Sequence, residues 1–301
     1  MAEKYRALIK ERMPVVVADH DEHGHFYLSP TTHGRYKSTT YYTGAIKDPS
    51  LANYKMNRAL RHVAEALTAH PKFEWTEESI ADLVKKSADA PQTDFESAGA
   101  FGTQAHDWRY AWFRDWIASG QTSLTAGQID AHPLPDTEDL EVISACRAIK
   151  KFLKDTGYIP VACELSLVDD KLELGGQADD LGVMPNPVRV AVQDADPNLY
   201  GGYRIKHDPY LLFMDLKTSN QGKKPAYAYQ VRGFYQPMLR KTFRIRPKKT
   251  VILHTSKEDG TYQIIDLTHM AFIEAQAPLL VELSRSWDEV RDAFKPKPIV
   301  V

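Results

Sequence analysis

The run Tyr210-Leu211-Leu212-Phe213-Met214, followed at once by Asp215-Leu216-Lys217, constrains this chain more than any other stretch. It is short, apolar and bounded by Pro209 and polar residues, so it reads as a strand buried in a sheet. Side chains alternate along a strand, so Asp215 and Lys217 share a face while Leu216 points away. A carboxylate and an ammonium at the end of a core strand are costly to bury without a partner or a task. Alone they would read as an ordinary ion pair. A second acid, Asp179, ends another apolar segment that begins at Gly175-Gly176, and that changes the reading. Two acids and a lysine on neighbouring strands could hold a divalent ion beside a fixed positive charge, an arrangement that suits metal-assisted phosphodiester hydrolysis.

Composition sets few limits. A 301-residue chain with 43% hydrophobic and 26% charged residues is long enough for a sizeable core plus elaborations. The net charge of −2 gives no global sign of nucleic-acid binding, so any such surface must be local. The two cysteines, Cys146 and Cys163, have neither CxxC spacing nor a partner cluster, so they support neither a disulfide framework nor a zinc or iron–sulfur site and read as reduced thiols. No apolar stretch approaches the ~18 residues of a membrane span, and Met1-Ala2-Glu3-Lys4 opens no signal peptide. The expected location is cytoplasmic, in a bacterium or a phage-infected host cell.

Along the chain, Val15–Val17 and Phe26–Leu28 flank the polar turn 19–25 as a hairpin. That turn holds three histidines and three acids, but it lacks HExxH spacing and reads as solvated rather than metal-binding. Helices are expected over 49–70, from Thr76 to about Ala88, and from Phe95 to Ile117. The last of these carries His106 and the stripe Trp108, Trp112, Trp116, whose spacing suits core packing. A further helix runs from about Thr137 to Asp155 and is ended by Gly157. Strands follow over Ile159–Val168 and Leu172–Val183. Residues 184–209 are then an excursion with a short extra strand at 188–192. After Lys217 come a helix over 225–241, strands at 250–254 and 261–265 around Asp259-Gly260, and a helix over 268–294. The order predicts an α/β protein with a mixed central sheet flanked by helices, behind a helical N-terminal elaboration.

The chemistry follows from the side chains. Hard cations prefer oxygen, so Asp179 and Asp215 are the natural ligands for Mg²⁺ or Mn²⁺, with the backbone carbonyl of Leu216 beside them. Lys217, drawn to the same face, would orient or help deprotonate the attacking water and neutralise charge in the transition state. His106 would complete the coordination sphere or hold a second ion, and Glu164 would bind a ligand water or contact the helical part of the site.

Gly102-Thr103-x-x-His106, Glu164, Gly176-x-x-Asp179, Asp215-x-Lys217-Thr218 and the glutamine helix at Gln230, in that order, resemble the PD-(D/E)XK nuclease superfamily. Within it the chain is most similar to the RecB-like exonucleases, which include phage exonucleases and the mitochondrial genome maintenance exonuclease. Ser38-Thr39-Thr40 … Lys47-x-x-Ser50-Leu51 also resembles the helical entry of phage members. The resemblance spans about 38–265. It implies a restriction-endonuclease-like core at 96–294, an N-terminal elaboration at 1–95 and a tail at 295–301. It further implies His106, Asp179 and Asp215 as metal ligands, Lys217 as catalytic lysine, and Gln230 near the substrate. The chain departs from the family in three ways. Phe234 stands where the family has a tyrosine four residues after the glutamine, with Tyr235 next. The 184–209 excursion is long, and the four cysteines of the iron–sulfur relatives are missing.

A separate feature suits a polyanionic substrate. From Leu216 to Lys257 there are eleven Lys or Arg and no Asp or Glu. Lys223, Lys224, Arg232 and Arg240 are the candidate phosphate contacts, with Tyr229 and Tyr235 among the aromatics available to stack unpaired bases. The expected partner is DNA, single-stranded or with free ends, together with a recombination or replication protein. The expected activity is a metal-dependent exonuclease of recombination, repair or replication. A structure-selective or site-specific endonuclease and a non-catalytic DNA-binding module are the alternatives.

Overall fold

The computed structural model describes residues 1–21, 24–44, 46, 49–70, 76–185, 187–191, 203–207, 209–218 and 224–293. It is an α/β protein built on a mixed eight-stranded sheet flanked by helices. Two compact units divide the chain: Met1–Ile46 with His106–Val301, and Lys47–Ala105.

The first unit opens with α1 (Ala2–Arg12), an element the sequence reading did not foresee. The hairpin of β1 (Val17–Asp21) and β2 (Gly24–Leu28) follows, then β3 (Arg35–Ser38) and the short α2 (Thr39–Thr43). The histidine-rich turn is largely absorbed into this hairpin, with Val17 opposite Leu28 and Asp21 opposite Gly24. The side chains of 20–24 lie outside the described residues. The second unit holds α3 (Pro49–Ala69) and the start of α4 (Glu77–Ala118). Within it, His62 Nδ1 lies 2.9 Å from Ser87 Oγ, which ties α3 to α4. The two expected helices at 76–88 and 95–117 are one, because α4 runs through Pro91. A proline removes one backbone donor and crowds the preceding turn, but a long helix can carry that loss.

From His106 onward the chain belongs again to the first unit. There α5 (Ala126–Ala131) is followed by α6 (Leu140–Thr156), which starts three residues later than expected with Asp139 as its cap, and which ends at Gly157 at φ 64° as its sequence predicted. The strands are β4 (Ile159–Asp169), β5 (Leu174–Met184), β6 (Pro187–Ala191), β7 (Tyr203–His207) and β8 (Tyr210–Lys217). β6 and β7 pair as a separate hairpin, so the excursion holds two strands where one was expected. The expected helix at 225–241 becomes α7 (Pro225–Ala228), a π-helical turn at Tyr229–Tyr235, and α8 (Gln236–Phe243). Then come β9 (Lys249–Thr255), β10 (Tyr262–Asp266) and α9 (Phe272–Ala293).

The sheet order is β1-β2-β3-β5-β8-β9-β10, with β4 on the other edge of β5. β8 and β9 are parallel, which requires the crossover that α7, the π-turn and α8 supply. β8 is central and buried on both faces, which is why it reads as an unbroken apolar run. Leu211 and Phe213 pack with Val231, Phe234 and α9, while Leu212, Met214 and Leu216 pack with Trp112, Phe113, Ile149 and Phe152. Of the tryptophan stripe, Trp112 and Trp116 are core and Trp108 packs half-buried against them, and Trp112 stacks on His132 at 4.0 Å between ring centres. Cys146 and Cys163 are free thiols. Among the described residues no helix is long and apolar enough to cross a membrane.

Gly175 and Gly176 give close approach rather than a bend. A Cβ on Gly175 would meet the Tyr27 ring, and one on Gly176 would meet Tyr235 and Thr39. Gly176→Ala is therefore expected to cost about 1–3 kcal/mol, the usual penalty of overpacking. A urea-unfolding midpoint equal to that of wild type would contradict this packing.

Candidate metal centre

β5 is where the site is made. One edge pairs with β4 along most of its length, whereas the other pairs with β3 at Leu174–Gly175 and with β8 only from Asp180 onward. Between them Gly176–Asp179 have no strand partner on that edge among the described residues, and the sheet parts there. Continuing the β5–β8 register by one residue sets Asp179 opposite Asp215. Asp179 Oδ2 accepts the Leu216 N–H at 2.6 Å, so a side chain replaces the missing ladder bond. Ala178 and Leu181 join the same core cluster although strict alternation would send them to opposite faces, so the pleat is irregular at Asp179-Asp180.

The neighbouring strand is irregular at the same level. Glu164 sits inside β4 with φ 51°, a left-handed conformation that costs a non-glycine residue about 1–3 kcal/mol and that collects at functional sites. It brings the Glu164 carboxylate toward Asp179. His106 arrives from α4, with Nδ1 3.7 Å from Asp179 Oδ1. His106, Glu164 and Asp179 each offer one ligand atom, and these atoms lie within 4.8 Å of one another. One imidazole and two carboxylates are a donor set suited to a divalent cation.

Asp215 is placed beside this group and not within it. It is 1% exposed, and its Oδ2 lies 2.6 Å from Lys217 Nζ, outside hydrogen-bond angles but within ion-pair range. The two share a face, as strand alternation requires, and Lys217 lies 5.1 Å from the centre of the Tyr227 ring. Glu164 rather than Asp215 thus gives the third close ligand atom, and the described Leu216 contact to Asp179 is through its N–H.

Two residues that sequence reasoning missed complete the cluster. Arg109 is fully buried and ion-paired with both Glu164 and Asp180, and its Nη1 lies 4.0 Å from Asp179 Oδ2. The Asp179-Asp180 doublet and the placement of Arg109 three residues after His106 on one helix were the available signals.

Electrostatics follow from burial. Burial, with Asp179, Asp180 and Asp215 nearby, pushes Glu164 up to about 8 against the pull of Arg109. Burial and Asp179 raise Asp180 to about 7, again opposed by Arg109. Asp215 rises to about 6 through burial and Asp179, with Lys217 opposing. Burial would raise Asp179 as well, but His106, Arg109 and Lys217 hold it below its usual value. Burial lowers His106 to about 4, which leaves a neutral ring free to ligate. Burial works against the Lys217 ammonium, yet Asp215 and Asp179 hold its pKa above the usual lysine value. With all four carboxylates ionised against Arg109 and Lys217, the cluster carries a net charge of −2, which one divalent cation neutralises. The residues therefore fit such an ion.

Gln230 lies in the π-helical turn, and its Nε2 donates to Tyr235 Oη at 2.7 Å, as does Thr39 Oγ1 at 3.1 Å. A π-turn aligns residues five apart, so the tyrosine displaced by one position still meets the glutamine. Tyr235 is buried and Tyr229 donates to Gln276 at 2.6 Å, so both are held by the protein. A cavity of about 500 Å³ lies alongside, bordered by Tyr27, Ser38, Thr39, Gln177 and Tyr235.

The basic segment looks different in space from its sequence. Arg232 is buried and converges with Arg240 on Glu274 of α9. Lys241 pairs with Asp169, Lys249 with Asp266 and Lys257 with Glu141. Arg232 and Tyr235 therefore pack the helix instead of presenting a phosphate track, and Arg240 shares an acid. Lys224 is half-buried with its ammonium 5.6 Å from the centre of the Tyr227 ring, Arg244 and Arg246 are exposed, and Lys223 lies outside the described residues.

Removing the imidazole tests the donor set directly. His106→Ala is expected to weaken divalent-ion affinity about 10–100-fold, and an unchanged metal titration would make His106 structural. The chain matches no protein-family model, and no curated protein is significantly similar to it.

Proposed function

We propose that this protein is a divalent-metal-dependent deoxyribonuclease of the RecB-like PD-(D/E)XK type, with an exonuclease the favoured form. The observation that carries the reading is the convergence of His106, Glu164 and Asp179 beside the Asp215–Lys217 pair at a break in the sheet. The order of these residues along the chain matches the motif order that suggested the resemblance.

Bound to His106, Glu164 and Asp179, Mg²⁺ or Mn²⁺ would supply Lewis acidity toward a phosphodiester and a more acidic water. The protein's own groups do the rest. Lys217, kept as an ammonium by its two acid neighbours, donates hydrogen bonds and offsets negative charge developing on the phosphate, so orienting the water suits it better than removing a proton. Asp215 holds Lys217 in place, and its raised pKa makes it the better candidate to accept that proton. Gln230 and Tyr235 form a wall that fixes the helix next to the reacting groups, and the neighbouring cavity gives a nucleotide room.

Digestion of linear and circular single-stranded DNA, each with Mg²⁺ and with EDTA, tests this. The reading expects loss of the linear substrate in Mg²⁺ only, with the circle intact. Cutting of the circle would favour the endonuclease, and binding of DNA with no cutting in Mg²⁺ or Mn²⁺ would leave only a DNA-binding module.

A further inference from the structure

We propose that Arg109 is a positioning residue for the metal centre, a built-in counter-cation that holds Glu164 in its ligating pose and leaves the cluster fit for one divalent ion. This rests on the metal-site reading above and adds a residue that no motif pointed to.

Arg109 has no exposed surface, and its guanidinium reaches two carboxylates at once, Nη2 toward Glu164 Oε1 and Nη1 toward Asp180 Oδ2. Two donors in a rigid fork fix the direction of both acids, which a lysine ammonium cannot do. Glu164 needs fixing because its backbone is left-handed within a strand, a conformation that persists only where the surroundings over-determine it. His106 and Arg109 are three residues apart, so one helix delivers both a ligand and the group that orients another ligand. Outer partners of this kind orient ligands and govern metal affinity.

The single donor group and the charge count both suit one ion, since the cluster carries −2 when all four acids are ionised. Glu164, Asp179, Asp180 and Asp215 face Arg109 and Lys217 in one buried group. One divalent ion balances the group, whereas a second would leave it positively charged with little solvent to screen it.

A purely structural clasp between α4 and the sheet is the rival, and a double variant separates the two. Arg109→Met with Asp180→Asn removes both charges of the deepest pair, so the fold should be retained, as circular dichroism would verify. Mn²⁺ binding is then followed by calorimetry and electron paramagnetic resonance. The expected result is one Mn²⁺ per wild-type chain and an affinity about 10–100-fold weaker in the folded double variant. Arg109→Lys, which keeps the charge and loses the fork, should also bind more weakly, and it serves if the double variant does not fold. Wild-type affinity in either folded variant, or two ions per wild-type chain, would overturn the proposal while leaving the metal site standing. No Mn²⁺ binding by the wild-type chain would remove the metal-site reading itself, and this proposal with it.

Discussion

Lys217→Ala is expected to slow Mg²⁺-dependent DNA cleavage about 10²–10⁴-fold while the protein still folds and still binds the metal. The size follows from what one positioned charge or proton-transfer group contributes to a transition state. Folding should survive because Asp215, whose pKa burial already raises to about 6, can take up a proton when its partner is lost. Lys217→Arg should not restore the rate, since a guanidinium spreads its charge over a planar fork and does not reproduce the compact point charge of an ammonium. Single-turnover cleavage of end-labelled DNA, with thermal melting as the folding control, gives the answer. A rate within tenfold of wild type would remove Lys217 from the chemistry.

A second large effect is on stability and needs no substrate. A carboxyl whose folded pKa is raised stabilises the fold below its unfolded pKa, and that contribution is lost as pH rises through the folded value. Glu164, Asp180 and Asp215, raised to about 8, 7 and 6, behave this way. His106 acts in the opposite sense, since its lowered pKa favours the fold above the unfolded value of 6.5 and loses that contribution as pH falls toward about 4. Between pH 6.5 and 8.5 the His106 and Asp215 contributions are nearly constant, and Glu164 and Asp180 dominate. Metal-free protein should therefore become less stable across that window, by an amount on the order of a few kcal/mol. Saturating Mg²⁺ requires the deprotonated acids, so its stabilising effect should be largest at pH 8.5. Scanning calorimetry at four pH values with and without Mg²⁺ measures both trends. A metal-free Tm that rises steadily from pH 6.5 to 8.5 would mean the acids are not packed as described.

Much of this was legible in the sequence, for identifiable reasons. β8 could be read because burial on both faces leaves a continuous apolar run, and Asp215 with Lys217 followed from alternation alone. The C-terminal end of α6 was legible because Gly157 supplies the left-handed residue that end requires. The site was harder. Arg109 is an arginine on a helix, a type normally at the surface, and only the three acids around it justify its burial. The irregular backbone at Glu164 has no local signature either, since glycine is the residue that usually announces a positive φ. The pairing of the acid-free stretch was hidden for a different reason. Its partners Glu274, Asp169, Asp266 and Glu141 come from distant parts of the chain, and charge read locally cannot anticipate them. The displaced Tyr235 was a departure from the family pattern in sequence. In space the π-turn still brings Tyr235 to Gln230.

The most direct test of the central claim is the cleavage rate of end-labelled linear DNA by wild-type and Asp179→Asn protein, each in Mg²⁺ and in EDTA. Asparagine can still accept the Leu216 N–H, so the substitution removes charge and little else. The account predicts cutting by wild-type protein in Mg²⁺, none in EDTA, and none by Asp179→Asn under either condition. Cutting by Asp179→Asn at the wild-type rate, or wild-type cutting undiminished in EDTA, would contradict it.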